Sequence, residues 1–158
     1  MTNEEKNQKI KRADDIHNKG FNCCQAVLSA FTEETGMADR QALAIGGGFG
    51  GGLRHGDVCG AVSGAVMVLS MTHPYTNSDD LDSKRRIATL TKEFHKRFLE
   101  KFGVLTCREL LGRDISDDAE FSAAKAAGKL GKCPTFIAGA TEIVCDMLDK
   151  ENFELGVK

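Results

Sequence analysis

Residues 81–102, LDSKRRIATLTKEFHKRFLEKF, decide the fold class. Ile87, Leu90, Phe94 and Phe98 fall three and four positions apart, Lys, Arg and Glu occupy the opposite side, and Gly103 closes the run. Apolar residues at that period line one face of a helix and turn it toward a core. The same period recurs on both sides of this stretch. It predicts helices over 3–19, with Ile10, Ala13 and Ile16 as a sparse apolar face, and over 23–35, with Cys24, Val27, Leu28 and Phe31 on one face and Gly36 at the end. Shorter helices are predicted over 39–45, 106–111 and 117–127, and longer ones over 58–73, stopped by Pro74, and 134–150. Alternation of apolar and polar residues, the mark of a strand, is missing. The chain reads as all-α: one helical bundle over residues 1–158, with a glycine-rich loop between helices, no repeat and no internal linker.

Composition narrows the function. A chain of 158 residues buries a sizeable core without disulfide staples. A net charge of −2 with Lys and Arg spread among acids gives no footprint for nucleic acid. The longest apolar run, Val58 to Met71, is too short to span a bilayer and holds two glycines and two serines, so no membrane role is expected. The N-terminus, MTNEEKNQKI, is charged and lacks the apolar stretch of an export signal, which leads to the expectation of a cytoplasmic protein. In that compartment six cysteines are reduced, metal-bound or redox-cycling rather than locked in structural disulfides.

Four of the six stand where a helix begins. Asn22 can cap a helix opening at Cys23, and Asp57 one whose second residue is Cys59. Thr106-Cys107-Arg108-Glu109 spells a capping box, and Cys133 precedes Pro134, a residue suited to a first helical turn. Unpaired N–H groups and the positive end of the helix dipole favour thiolate over thiol, and thiolate is the form that binds metals and attacks disulfides. Cys23, Cys59, Cys107 and Cys133 are therefore expected to converge on one site. Cys145 sits mid-helix without a capping role and reads as packing; Cys24 lies on a core stripe but could serve as a resolving thiol. The four are 36, 48 and 26 positions apart and no CxxC occurs, so spacing alone does not establish a metal site.

Residues 46–56 hold seven glycines. They formally satisfy GxGxxG, but no strand precedes them, so dinucleotide binding is not expected. The preferred reading is a packed loop, anchored by Phe49 and Leu53, whose bare N–H groups at Gly50, Gly51 and Gly52 approach an anionic group near Cys59. His55, in the same loop, is a candidate proton donor or ligand, with a solvated histidine as the plainer alternative. Gly60 and Gly64, with Ala61 and Ala65, make a smooth helical strip that admits a cofactor, a neighbouring helix or a second copy in a homodimer.

From Phe21-Asn22-Cys23, through Gly48-Phe49-Gly50-Gly51-Gly52 and Cys59-Gly60-Ala61-Val62-Ser63-Gly64, to Cys107-Arg108-Glu109-Leu110-Leu111-Gly112 and Cys133, the chain resembles the C-GCAxxG-C-C family of redox-active proteins, built on four cysteines and a CGAxxG motif. The resemblance implies a redox function and a bound prosthetic group such as an iron–sulfur cluster. Some relatives carry haem domains, but no CxxCH occurs here to attach one. The expectation is a redox protein, in the oxidoreductase class if it is an enzyme, whose cluster is held by Cys23, Cys59, Cys107 and Cys133 and serves electron transfer with a partner protein or a small-molecule substrate. A metal-free thiol–disulfide oxidoreductase and a zinc-stabilised accessory protein are the alternatives.

Overall fold

The computed structural model describes the backbone of residues 1–154 and the side chains of residues 1–149. Among them there is no strand, only an isolated antiparallel bridge between Val58 and Thr106. The all-α class is thus as the sequence predicts. The helices are α1 (Asn3–Asn18), α2 (Cys23–Ala30), α3 (Thr32–Thr35), α4 (Asp39–Gly46), α5 (Gly60–Thr72), α6 (Leu81–Phe102), α7 (Cys107–Leu111), α8 (Asp118–Ala126) and α9 (Cys133–Glu154). A 3₁₀ turn, Lys129–Lys132, leads into α9. No described helix is long and apolar enough to cross a membrane.

Two predicted boundaries move. The helix expected over 23–35 breaks at Phe31 (φ −114°, ψ 27°), whose ring is fully buried; the chain bends there to seat it and restarts as α3. Asp57 does not cap α5. Cys59 occupies that position, and the Asp57 carboxylate turns away to His55 and Arg108.

α5 lies against α2, α6 and α9, and α1 against α2 and α9. The core between them takes Val27, Leu28 and Phe31 from α2, Val62, Val68 and Leu69 from α5, and Ile137 and Val144 from α9. Phe94, Phe98, Phe102 and Phe136 form a chain of rings with centroids 4.7–6.0 Å apart, so the run that decides the fold also supplies most of its aromatic packing. Gly139 of α9 makes room for this chain: a β-carbon there would lie 2.4 Å from Phe102 Cζ.

The close pairing of α2 and α5 positions the cysteines. A β-carbon at Gly64 would lie 2.8 Å from the Cys24 carbonyl oxygen, and one at Gly60 would lie 3.0 Å from the Cys24 nitrogen. The smooth strip therefore faces a neighbouring helix of the same chain. Its bare backbone lets the start of α2 settle beside the start of α5.

Candidate functional site

Each of the four predicted cysteines is held by a different local device. Asn22 caps α2: its side chain accepts from the Gln25 N–H at 2.9 Å, while the Gln25 side chain accepts from the Asn22 N–H at 2.9 Å. The Asn22 amide also donates to the carbonyls of Gly46 (3.2 Å) and Gly47 (3.1 Å), tying the glycine loop to the base of Cys23. Cys59 and Cys107 are brought alongside each other by the bridge at Val58 and Thr106: the Cys59 N–H donates to Leu105 O (2.9 Å) and the Cys107 N–H to Asp57 O (2.8 Å). Thr106 caps α7 as expected, its hydroxyl accepting from the Glu109 N–H at 3.3 Å. Cys133 is itself the first residue of α9.

The result is one cluster made of two pairs. Cys23 hydrogen-bonds Cys133, and Cys59 hydrogen-bonds Cys107. The pairs also feel each other's charge: Cys59 acts on Cys23 and Cys133, and Cys133 on Cys107. Within each pair the thiols are unequal. The hydrogen bond from Cys107 holds the Cys59 thiol below its ordinary value, and the one from Cys23 does the same for Cys133. Those bonds, with burial, push Cys107 and Cys23 up. The backbone N–H groups of Ala61 and Val62, the latter donating to Cys59 O at 3.0 Å, also favour the Cys59 thiolate, and that of Gly60 does so for Cys107, so the first turn of α5 lies beside the sulfurs. Cys59 is 2% exposed and Cys107 8%, whereas Cys23 and Cys133 are half-buried. The cluster thus has an inner pair and an outer pair.

The remaining cysteines stay out. Cys24 is fully buried with its Sγ 3.8 Å from Met67 Sδ, and burial pushes its thiol up to about 12. Cys145 is buried in α9 and likewise pushed up to about 12 by burial.

The glycine loop is packed, but differently from the expected anchoring. Phe49 is half-buried, whereas Leu53 is 53% exposed and anchors nothing. The backbone turns left-handed from Gly51 through Arg54, with φ of 62°, 61°, 57° and 56°. In Leu53 and Arg54, which carry β-carbons, that conformation costs about 1–2 kcal/mol each. A β-carbon at Gly50 would fall 2.6 Å from Asn22 Cβ, and one at Gly52 would fall 2.3 Å from Asp57 O. Gly51 has Ile115 as its neighbour. His55 is exposed, with Nδ1 3.2 Å from an Asp57 oxygen.

What holds this strained turn is Arg108, a residue sequence reasoning passed over. Its guanidinium donates to His55 O (2.8 Å) and Gly56 O (3.1 Å) and meets the Asp57 carboxylate at 3.4 Å. The available signal was a cation beside Cys107 in a short capped helix. Among the described residues, no group of three or more His, Cys, Asp or Glu is arranged to hold a single metal ion.

A family model described as "Putative redox-active protein (C_GCAxxG_C_C)" matches residues 21–147. No match was found among the curated proteins or among the solved structures.

Proposed function

The chain belongs to the C_GCAxxG_C_C family of redox-active proteins, and from that premise we propose that its four clustered thiols hold an iron–sulfur cluster of two irons, which passes single electrons. The observation that carries the reading is the pairing. A two-iron cluster takes two thiolates on each iron, and Cys23 with Cys133 and Cys59 with Cys107 offer two such pairs in mutual electrostatic contact. A zinc ion would instead take all four thiolates around one point.

The chain's own residues fit such a group. The four donors are soft sulfurs. The inner pair is shielded from water, and the backbone N–H groups at Gly60, Ala61 and Val62 favour negative charge on the inner sulfurs. A bound cluster would supply one-electron chemistry. Gly60 and Gly64 keep α2 and α5 close enough for Cys23 to reach the others, and Arg108 fixes the loop that leads into Cys59. Absorption and electron paramagnetic resonance spectra before and after one-electron reduction test the reading. A charge-transfer band that bleaches on reduction, with a half-integer-spin signal appearing, is expected. A colourless protein that takes up no iron and sulfide on anaerobic reconstitution would end it.

A second reading has its own observation. Each pair sets a thiol with a lowered pKa beside a raised one, as in a dithiol that closes to a disulfide. In that case a substrate disulfide takes two electrons and two protons from a pair and leaves as a dithiol while the pair closes to a sulfur–sulfur bond, and the protein carries no iron.

A further inference from the structure

Between Glu120 and Glu142 the chain carries Lys125, Lys129 and Lys132 and no acidic residue, and Cys133 lies inside that stretch. Lys129 and Lys132 stand three apart in the 3₁₀ turn that opens directly onto Cys133, and in such a turn residues three apart eclipse on one face. Lys125 lies in the last turn of α8, which packs against this 3₁₀ turn. None of the three has an ion-pair partner among the described residues. The flanking acids are already engaged: Glu120 with Arg113 at 3.2 Å and Glu142 with Lys101. Arg54 does not join the three lysines: its guanidinium lies 5.2 Å from the centroid of the Phe121 ring, in a small cavity shared with Asp117 and Asp118 at the other end of α8. Positive charge therefore gathers where the cysteine cluster is half-buried rather than sealed. The N-terminal end of α8 carries the opposite sign in Asp117 and Asp118, so the cations form a directional patch.

We propose that Lys125, Lys129 and Lys132 form a docking surface for an acidic one-electron carrier protein, which meets the redox centre at the Cys23–Cys133 edge. The proposal rests on the redox reading above. In the encounter the carrier gives up one electron and is oxidised as the centre is reduced. Unpaired lysines beside the half-buried edge steer a negatively charged partner to it and hold the orientation that brings the two centres close. The patch stands out against a net charge of −2, and among the described residues most other cations are paired with acids.

The field at the edge can be read without any cluster. In reduced, metal-free protein, Cys133 is modified by two methanethiosulfonates that differ only in charge, one bearing a sulfonate and one a trimethylammonium. Each rate is compared with that of the Lys125→Gln/Lys129→Gln/Lys132→Gln protein, and Cys133→Ser marks the background. The substitutions should slow the anionic reagent about fivefold and speed the cationic one, with both effects fading at high salt. A companion protein with all three lysines changed to arginine should behave like the parent, which separates charge from misfolding. Unchanged rates for both reagents would overturn the proposal even if iron and sulfide are present. In iron-loaded protein, reduction by a small acidic ferredoxin should slow as salt rises, and the glutamine variant should lose that dependence. Reduction indifferent to salt in the parent would likewise overturn it.

Discussion

Whether a cysteine belongs to the centre depends on its neighbours within a few ångströms rather than on burial. Cys59 and Cys145 are both buried, yet one hydrogen-bonds Cys107 under the N–H groups of α5 and the other is packed among apolar side chains. Cys59→Ser is expected to abolish the prosthetic group. Cys145→Ser should keep it while lowering stability by about 1–3 kcal/mol for the buried hydroxyl. Iron content and thermal melting of the two variants check this, and equal iron loss in both would sink the division. At this scale the sequence was informative because capping is local: Asn22 and Thr106 cap as their side chains predict. The pairing was not legible. It depends on which helix starts meet in space, and the bridge that joins Cys59 to Cys107 links residues far apart in the chain. Arg108 was hidden for the same reason, since its partners lie about fifty positions earlier.

Between elements, two contacts hold the centre's geometry. The first is the glycine strip. Gly64→Ala would drive a methyl group onto the Cys24 carbonyl, and because backbone cannot step aside cheaply it should cost about 1–3 kcal/mol; Gly64→Leu should do more and separate Cys23 from the inner pair. A Gly64→Leu protein that melts like the parent would show the strip carries no such contact. The second is the Arg108 clamp on the left-handed turn. Arg108→Gln removes a guanidinium that engages two carbonyls and a carboxylate, so residues 51–56 should exchange amide hydrogen faster while α2 and α9 keep their protection. Uniform exchange across the chain would contradict a local role. The spacing of small residues announced close packing, and the structure shows what it packs against. The turn's handedness was not readable, because Leu53 and Arg54 are not residues that ordinarily adopt positive φ.

Across the whole molecule, α1 and α9 are tied together by charge. Lys6 reaches Asp146 (2.7 Å) and Asp149 (3.1 Å), and the N-terminal ammonium pairs with Asp149. Burial works against the charge on Asp149, but the ammonium and Lys6 outweigh it and hold its carboxyl below the ordinary range. Hydrogen bonds to Asp146 and Asp149 raise Lys6. A carboxyl lowered in the folded state adds stability that is present above the ordinary value, about pH 4, and is lost as pH falls through the folded value; a raised amine adds stability present below about pH 10 and lost as pH rises. Asp149→Asn should therefore melt below the parent at pH 7, with the gap closing as the medium is acidified below about pH 4. A gap that persists at pH 2 would contradict this. The helical class was legible in full because 3.6-residue periodicity runs through nearly every segment, whereas the arrangement that gathers four distant cysteines is a property of the packed bundle. The most direct test of that arrangement is the iron and acid-labile sulfide content of protein purified without oxygen. The account predicts about two of each per chain, lost together when any one of Cys23, Cys59, Cys107 or Cys133 is changed to serine. Iron-free protein with six titratable thiols, unchanged after reconstitution, would contradict it.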